Sequence, residues 1–359
     1  MKKLFYLLIL AIAGISQGQN ILIVDNDPTV DTTPAHMFDT WASAIAAANN
    51  GDIIYVQPSV TSYGNIIIDK EVTVYGSGWD PILNNGRNSR IGNALINANN
   101  VKLSGFLVDS FVRGATPTSQ MSGLIVEDNK IDIGISFGTG SETANNVIIR
   151  GNVIGRSIQM HSNPTQSSNT VITNNFINVG VFGASSEGIV NANATTIFNN
   201  NIVVNRRTNS VFTIFKTMRG DVTAFNNIYI SSGTQGMFSS SNGHVLEINN
   251  SISWKPTGVP LSQLMPGMNN FDNVDPQFVN DNAGLTLDAS TDYSLTPNSP
   301  GAIAGSDGGD IGIFNGGYDF DYRGYPTELP YITSFTLDTN LITSGQNINA
   351  NVKADANKS

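Results

Sequence analysis

Thr170–Gly180 reads TVITNNFINVG, a run of β-branched and aromatic strand formers interrupted by two amides, Asn174 and Asn175. One interruption of this kind reads as a turn, but this one recurs. An asparagine ahead of an apolar pair stands at Asn129 (DNKI), Asn152 (GNVI), Asn175 (NNFI), Asn201 (NNIV), Asn227 (NNIY) and Asn250 (NNSI). The successive spacings are 23, 23, 26, 26 and 23 residues. Short β-rich runs precede these asparagines: LIVE from Leu124, VIIR from Val147, TVIT from Thr170, TIFN from Thr196, VTAF from Val222 and VLEI from Val245. A near-constant period in the low twenties, made of strands, predicts a β-solenoid. An antiparallel sandwich with amide-rich turns is the alternative, and it has no need of a constant period. A less regular earlier coil is visible in VKLSGFLVDS from Val101.

Each coil must turn corners, and asparagine tolerates the left-handed backbone that a tight corner requires. Coils stack about 4.8 Å apart, so a corner asparagine lies over that of the next coil and the amides can bond as a ladder. The amides therefore interrupt the strands because they form the corners.

Composition agrees. Charged residues are 13% of the 359-residue chain, 40% of residues are apolar, and there are 35 Gly and 45 Asn. Disordered chains combine low hydrophobicity with high charge, so this chain is expected to fold. Residues 1–18, MKKLFYLLILAIAGISQG, place Lys2 and Lys3 ahead of an apolar run and end in small residues, as an export signal does. The run is too short for a bilayer span, so the mature chain is expected to lack a transmembrane segment and to be secreted or held at the cell surface. Cysteine is absent, which excludes disulfides and thiolate metal sites.

The chain also resembles the secreted right-handed parallel β-helix proteins of the pectin-lyase-like superfamily. The resemblance is carried by TWASAIAAANNGDIIYVQPSV (Thr40–Val60) with GNIIIDKEVTVYGSG (Gly64–Gly78), and by NVDPQFVN (Asn273–Asn280) with DYSLTPNSPGAIAGSDGGDIGIF (Asp292–Phe314). It implies an all-β, right-handed parallel β-helix opened by a short capping helix. Independently, Trp41, Ala44, Ile45 and Ala48 share one helical stripe with Thr40 as N-cap. The expected organisation is a signal peptide at 1–18 and a β-helix domain at 19–325. Residues 326–359 then form a linker and the start of a truncated β domain, or a last strand pair packed on the solenoid.

Net charge is −10, yet from Thr143 to Gly220 the only acid is Glu187, against Arg150, Arg156, Arg206, Arg207, Lys216 and Arg219. That window is +5, so the rest of the chain is −15. Arg156 follows Asn152 by four residues; Arg206 and Arg207 follow Asn201 by five and six, two coils on. Aligned corners would bring these arginines to one edge, about 10 Å apart along the axis. Arginine binds carboxylates and sulfates through paired hydrogen bonds, so Arg156, Arg206 and Arg207 are the substrate-binding candidates for an acidic polysaccharide. Solvated surface charge is the plainer reading of the same residues.

Lys216 and Arg219, in FKTMRGD, are the catalytic candidates. Eliminative cleavage of a uronic-acid polymer needs a base for the C5 proton and a cation to neutralise the neighbouring carboxylate. The resemblance implies Lys or Arg as base, often with calcium as neutraliser; no stretch matches a known lyase active-site motif. Hydrolytic members use clustered Asp, which the acid-poor central coils do not supply. Asp128 and Asp132 read as turn residues, as do Asp25, Asp27, Asp31, Asp307 and Asp310, and no metal site is assigned. Phe176, Phe198, Phe215 and Phe225 are expected in the core; Tyr229, Trp254 and Trp79 are freer for sugar stacking, and His161 is read as a surface residue. Acidity and export argue against nucleic acid, and the protein is expected to be a monomer. Two functions follow: a polysaccharide-active exported protein, lyase or binder, or a noncatalytic extracellular scaffold or adhesion protein.

Overall fold

The computed structural model describes residues 19–179, 188–206, 213–232, 237–256, 260–282, 286–288, 290–337 and 349–355. Three parallel sheets wrap one apolar core, as the period requires. Within each central coil the chain passes through sheet 1 (Ile125–Glu127, Ile148–Arg150, Val171–Thr173), sheet 2 (Lys130–Ile131, Val153–Ile154, Phe176–Val179) and sheet 3 (Gly134–Ser136, Ser157–Gln159, Ile189–Val190). Eleven, eight and seven described strands make up these sheets. Every strand pairs with its equivalent one coil away, as in Ile149 opposite Ile172 and Ile172 opposite Phe198. This is the expected parallel β-helix, with the right-handed crossover sense that parallel β units adopt.

Inward positions stack in columns, such as Ile131, Ile154, Ile177, Val203 and Tyr229, all 0–1% exposed. The first coil is closed by the helix Trp41–Ala47, in which Thr40 Oγ1 accepts from Ser43 N at 3.3 Å and Trp41 and Ala44 turn inward. Trp41 Nε1 donates to Ile67 O at 2.8 Å, pinning the lid to the strand beneath.

The corner between sheets 1 and 2 divides its labour between two adjacent residues. The second is the ladder asparagine. Asn152 Oδ1 accepts from Asn129 N at 3.0 Å, Asn175 Oδ1 from Asn152 N at 3.0 Å, Asn201 Oδ1 from Asn175 N at 3.0 Å, and Asn227 Oδ1 from Asn201 N at 2.8 Å. Each Nδ2 also donates to two backbone carbonyls, for Asn175 those of Ile149 and Thr173, so no polar atom of the buried amide is left over. The first residue of the pair carries the left-handed turn: Gly105, Asp128, Gly151, Asn174, Asn200, Asn226 and Asn250 all have φ between 48° and 85°. The expectation that one asparagine does both is thus corrected. Asn250 belongs to the turning column, and Ser251 Oγ takes the last rung by accepting from Asn227 N at 3.1 Å.

Residues beyond the last coil turn back along the solenoid. Phe278, Leu287, Tyr293, Ile311, Ile313 and Phe320 cover the outer face of sheet 2, where Val153, Phe176, Ile202, Ile228 and Ile252 form a second apolar core. Sheet 2 is therefore buried on both sides. A strap, residues 301–328, then descends the corner and meets the turning column coil by coil. Asn250 Nδ2 donates to Ala304 O (3.2 Å), Asn226 Oδ1 accepts from Ser306 N (2.8 Å), and Asn174 Nδ2 donates to Ile313 O (2.8 Å). Lower down, Tyr318 O–H donates to Asp128 Oδ1 (2.8 Å), Trp79 N to Arg323 O (3.0 Å), and Glu328 pairs with Lys102. Glycine admits the strap at two points: a Cβ on Gly151 would lie 2.5 Å from the Tyr318 ring, and one on Gly105 2.6 Å from Pro326. Past the strap, Tyr331–Leu337 and Ala350–Asp355 pair as an antiparallel hairpin.

Candidate functional site

With the outer face of sheet 2 covered and the corner beside it strapped, sheet 3 keeps an accessible outer face. Its register defines one outward column: Ile67, Leu95, Arg113, Ser136, Gln159, Val190 and Lys216. Strand alternation puts their neighbours Ile68, Ile96, Val112, Ile135, Ile158, Ile189 and Phe215 in or beside the core, where all seven are 0–1% exposed. Ile67, Arg113 and Lys216 are exposed, while Ser136 and Gln159 are half-buried. Arg113 and Lys216 are separated by four strand steps, about 19 Å at the usual interstrand spacing. Two cations thus bracket a polar stretch built around Ser136 and Gln159.

The residues proposed from sequence fall around this face. Lys216 lies in its outward column. Arg219 lies three residues on, in the corner leading to sheet 1, where its Nε donates to Asn191 Oδ1 at 3.3 Å. Arg156 and Arg206 lie on the opposite border, between sheets 2 and 3. They are not in register: Arg156 follows Ile154, which sits opposite Ile177 and then Val203, so two coils on Arg156 aligns with Asn205, one residue short of Arg206. A stretched corner cannot absorb that residue, because Phe176–Val179 and Ile202–Asn205 pair one to one. Arg207 lies outside the described residues. The cations flank sheet 3 on two borders and do not form one line.

Arg206 stands apart chemically. Its side chain is half-buried, and its Nε and Nη2 are sealed from solvent with no acceptor among the described residues. Burial holds the guanidinium below the usual arginine range, opposed only by the Tyr293 hydroxyl nearby. A desolvated cation with unfilled donors is costly where it stands.

Several other expectations change. His161 is buried: its Nδ1 accepts from Asn163 N at 3.0 Å and Nε2 donates to Gly140 O at 3.2 Å, fastening the turn beside sheet 3. Tyr229 is a core residue packed edge-on to Phe238, and Trp79 is buried with Lys130 above its ring, so neither is free to stack on sugar. Trp254 is half-buried against Phe278. Phe198 and Phe215 do stack in the inner core, but Phe176 belongs to the second core and Phe225 lies half-buried on the outward column of sheet 1. Asp25, Asp27, Asp31 and Asp307 each cap a backbone N–H two residues on, and Asp310 accepts from Ile303 N. Arg113 escaped the sequence reading because it lies before the regular repeats; its signal is the outward phase of FVRG, one strand below Gly134–Ser136.

No family model matches the chain, and no curated protein matches it. Among solved structures, the chain is similar to one described as "Crystal structure of pectate lyase Pel9A", with a TM-score of 0.47 and 13% identity over 85% of this chain and 98% of that one.

Proposed function

We propose that the protein is an exported, polysaccharide-active β-helix that binds an acidic, uronic-acid-type glycan along the outer face of sheet 3. The observation that carries this reading is the outward column of sheet 3, in which exposed Arg113 and Lys216 bracket half-buried Ser136 and Gln159. Glycan carboxylates supply the acceptors that such exposed cations bind. Arg156 and Arg206 add positive charge on the border with sheet 2, and Arg207 follows Arg206 in the chain. Arg113 and Lys216 line the face itself, and Gln159 and Ser136 offer hydrogen bonds to sugar hydroxyls between them. In this reading Lys216 and Arg219 are the base and the neutralising cation of an eliminative cleavage, with calcium as an added neutraliser. No helix among the described residues is long and apolar enough to cross a membrane.

The test is incubation of the purified protein with a panel of acidic polysaccharides, with and without Ca²⁺. Retention is followed by affinity electrophoresis, and elimination by the ultraviolet absorbance of unsaturated product. Retention lost in Arg113→Gln supports the reading, and an absorbance rise lost in Lys216→Ala or Arg219→Ala makes the protein a lyase. Absence of both on every substrate leaves the noncatalytic scaffold as the better account.

A further inference from the structure

Asp128 is the one acid in the turning column, where the other coils place glycine or asparagine. Its side chain is fully buried, Oδ1 accepts from the Tyr318 hydroxyl at 2.8 Å, and Oδ2 has no hydrogen-bond partner. The strap closes over it from three sides: the Tyr318 ring lies against Gly151, the Gly324 backbone against Asp128 O, and the Thr327 amide faces the carboxyl group.

The charges around this point already balance. Glu127, 0% exposed, is held between Lys102 and Arg150, whose Nη2 lies 2.8 Å from Oε2. Glu328 of the strap completes the pairing at Lys102, and the Arg150 guanidinium sits 4.4 Å from the centre of the Tyr318 ring. Two carboxylates therefore meet two cations. Ionised Asp128 would add an unmatched negative charge next to Glu127, with Asp321 of the same sign nearby and only the Tyr318 hydroxyl and the Thr327 amide to offset it. Such a charge is costly away from water.

We propose that Asp128 is a pH-sensitive latch on the C-terminal strap, closing it as a neutral acid and opening it as a carboxylate. Burial, reinforced by Glu127, pushes the Asp128 carboxyl well above the usual carboxylate range. Tyr318 remains an O–H donor because burial, then the Asp128 and Glu127 charges, raise it far above an ordinary phenol. Burial opposes the charges of Lys102 and Arg150, but Glu127 and Glu328 together outweigh it for Lys102, and Glu127, Tyr318 and Glu328 for Arg150, so both stand above their usual ranges and do not titrate in the same window. The sign follows from linkage: the folded state holds the proton more tightly than the unfolded chain, whose Asp titrates near 3.9. The stabilisation is complete below about pH 4 and is lost as pH rises through the raised folded value. The strap is thus closed in acid and opens from its lower end as pH climbs through that raised value, uncovering Lys102, Arg150 and Tyr75 on sheet 1.

The test is hydrogen exchange of the full chain between about pH 4 and 9, corrected for the intrinsic exchange rate. Peptides spanning 318–328 are expected to lose protection by up to about tenfold per pH unit past the transition, while the ladder strands 147–153 and 171–177 keep theirs. Asp128→Asn, which installs the amide that four other coils use at this point, is expected to make strap protection independent of pH. Tyr318→Phe removes a bond that lowers the carboxyl's pKa, so it is expected to move the transition upward. A flat profile in the natural sequence, an unchanged slope in Asp128→Asn, or a transition moved downward by Tyr318→Phe would each overturn the latch.

Discussion

Asn174 and Asn175 are neighbours in sequence and serve opposite sides of the wall. Asn174 Nδ2 reaches out to Ile313 O of the strap at 2.8 Å, and Asn175 Nδ2 reaches in to Ile149 O of the adjacent coil at 2.9 Å. The recurring amide pair is two devices, one that stacks the coils and one that receives the strap.

Replacing a ladder amide strands several buried partners at once. Asn175→Ala leaves the amides of Asn152 and the carbonyls of Ile149 and Thr173 without their bonds. Each unsatisfied buried group costs about 1–3 kcal/mol, so the expected loss is at least about 3 kcal/mol in urea unfolding. Asn174→Ala, which removes the bonds to the strap and one from the Thr173 hydroxyl, is expected to cost less and to speed proteolysis at residues 301–328.

Gly151 tests the strap sterically. It has φ of 65°, and an added Cβ would meet the Tyr318 ring at 2.5 Å and Asp128 Oδ1 at 2.7 Å. Gly151→Ala is expected to destabilise the protein by about 1–2 kcal/mol from the left-handed backbone alone and to displace Tyr318. Thermal unfolding and exchange at 316–328 read the two effects separately.

Glu127 is the only described acid touching both Lys102 and Arg150. Glu127→Ala leaves Arg150 without a carboxylate and Lys102 with Glu328 alone under the strap, with an expected loss of about 3–5 kcal/mol. Adding Arg150→Met to that variant is expected to recover part of the stability, since it removes the stranded charge; equal stability of the single and double variants would refute the pairing.

Arg113→Gln separates binding from stability. Loss of a charge-assisted contact is expected to weaken acidic-glycan retention by about tenfold or more, on the order of 1.5–3 kcal/mol. The melting temperature is expected to hold, because the substituted side chain is exposed.

Alkali should unfold the protein through its tyrosines. Burial pushes the Tyr63 hydroxyl, which donates to Gln57 O at 2.9 Å, up to about 12, and raises Tyr293 and Tyr322 as well. A raised acid favours the folded state below the unfolded value, near 10 for tyrosine, and the benefit fades as pH climbs through the folded value. Unfolding free energy is expected to fall from about pH 10 to 12, and Tyr63→Phe to shallow that slope.

The period, the ladder, the capping helix and the parallel strand order were legible because each depends on residues close in sequence or on strict repetition. Ser251 was not, because a hydroxyl replaces the amide while Asn250, one residue earlier, mimics the pattern. Reading Tyr229 as free and Phe176 as inner core failed for one reason. Sheet 2 is apolar on both faces, so alternation no longer tells inside from outside. The arginine alignment failed because four and five residues from the corner cannot coincide on strands paired one to one. The strap has no period at all; its side-chain hydrogen-bond and ion-pair partners on the coils lie from 54 residues away, at Asn250, to 226 residues away, at Lys102.

A stack of repeats ordinarily tolerates gain or loss of a unit, since each contacts only its neighbours. Here the returning strap meets named coils in a fixed order, from Asn250 down to Lys102. Excising the 23 residues of one central coil would leave every contact on one side of the cut misplaced by a step of about 4.8 Å. The strap therefore counts the coils, and a chain of stacked repeats is held to one length.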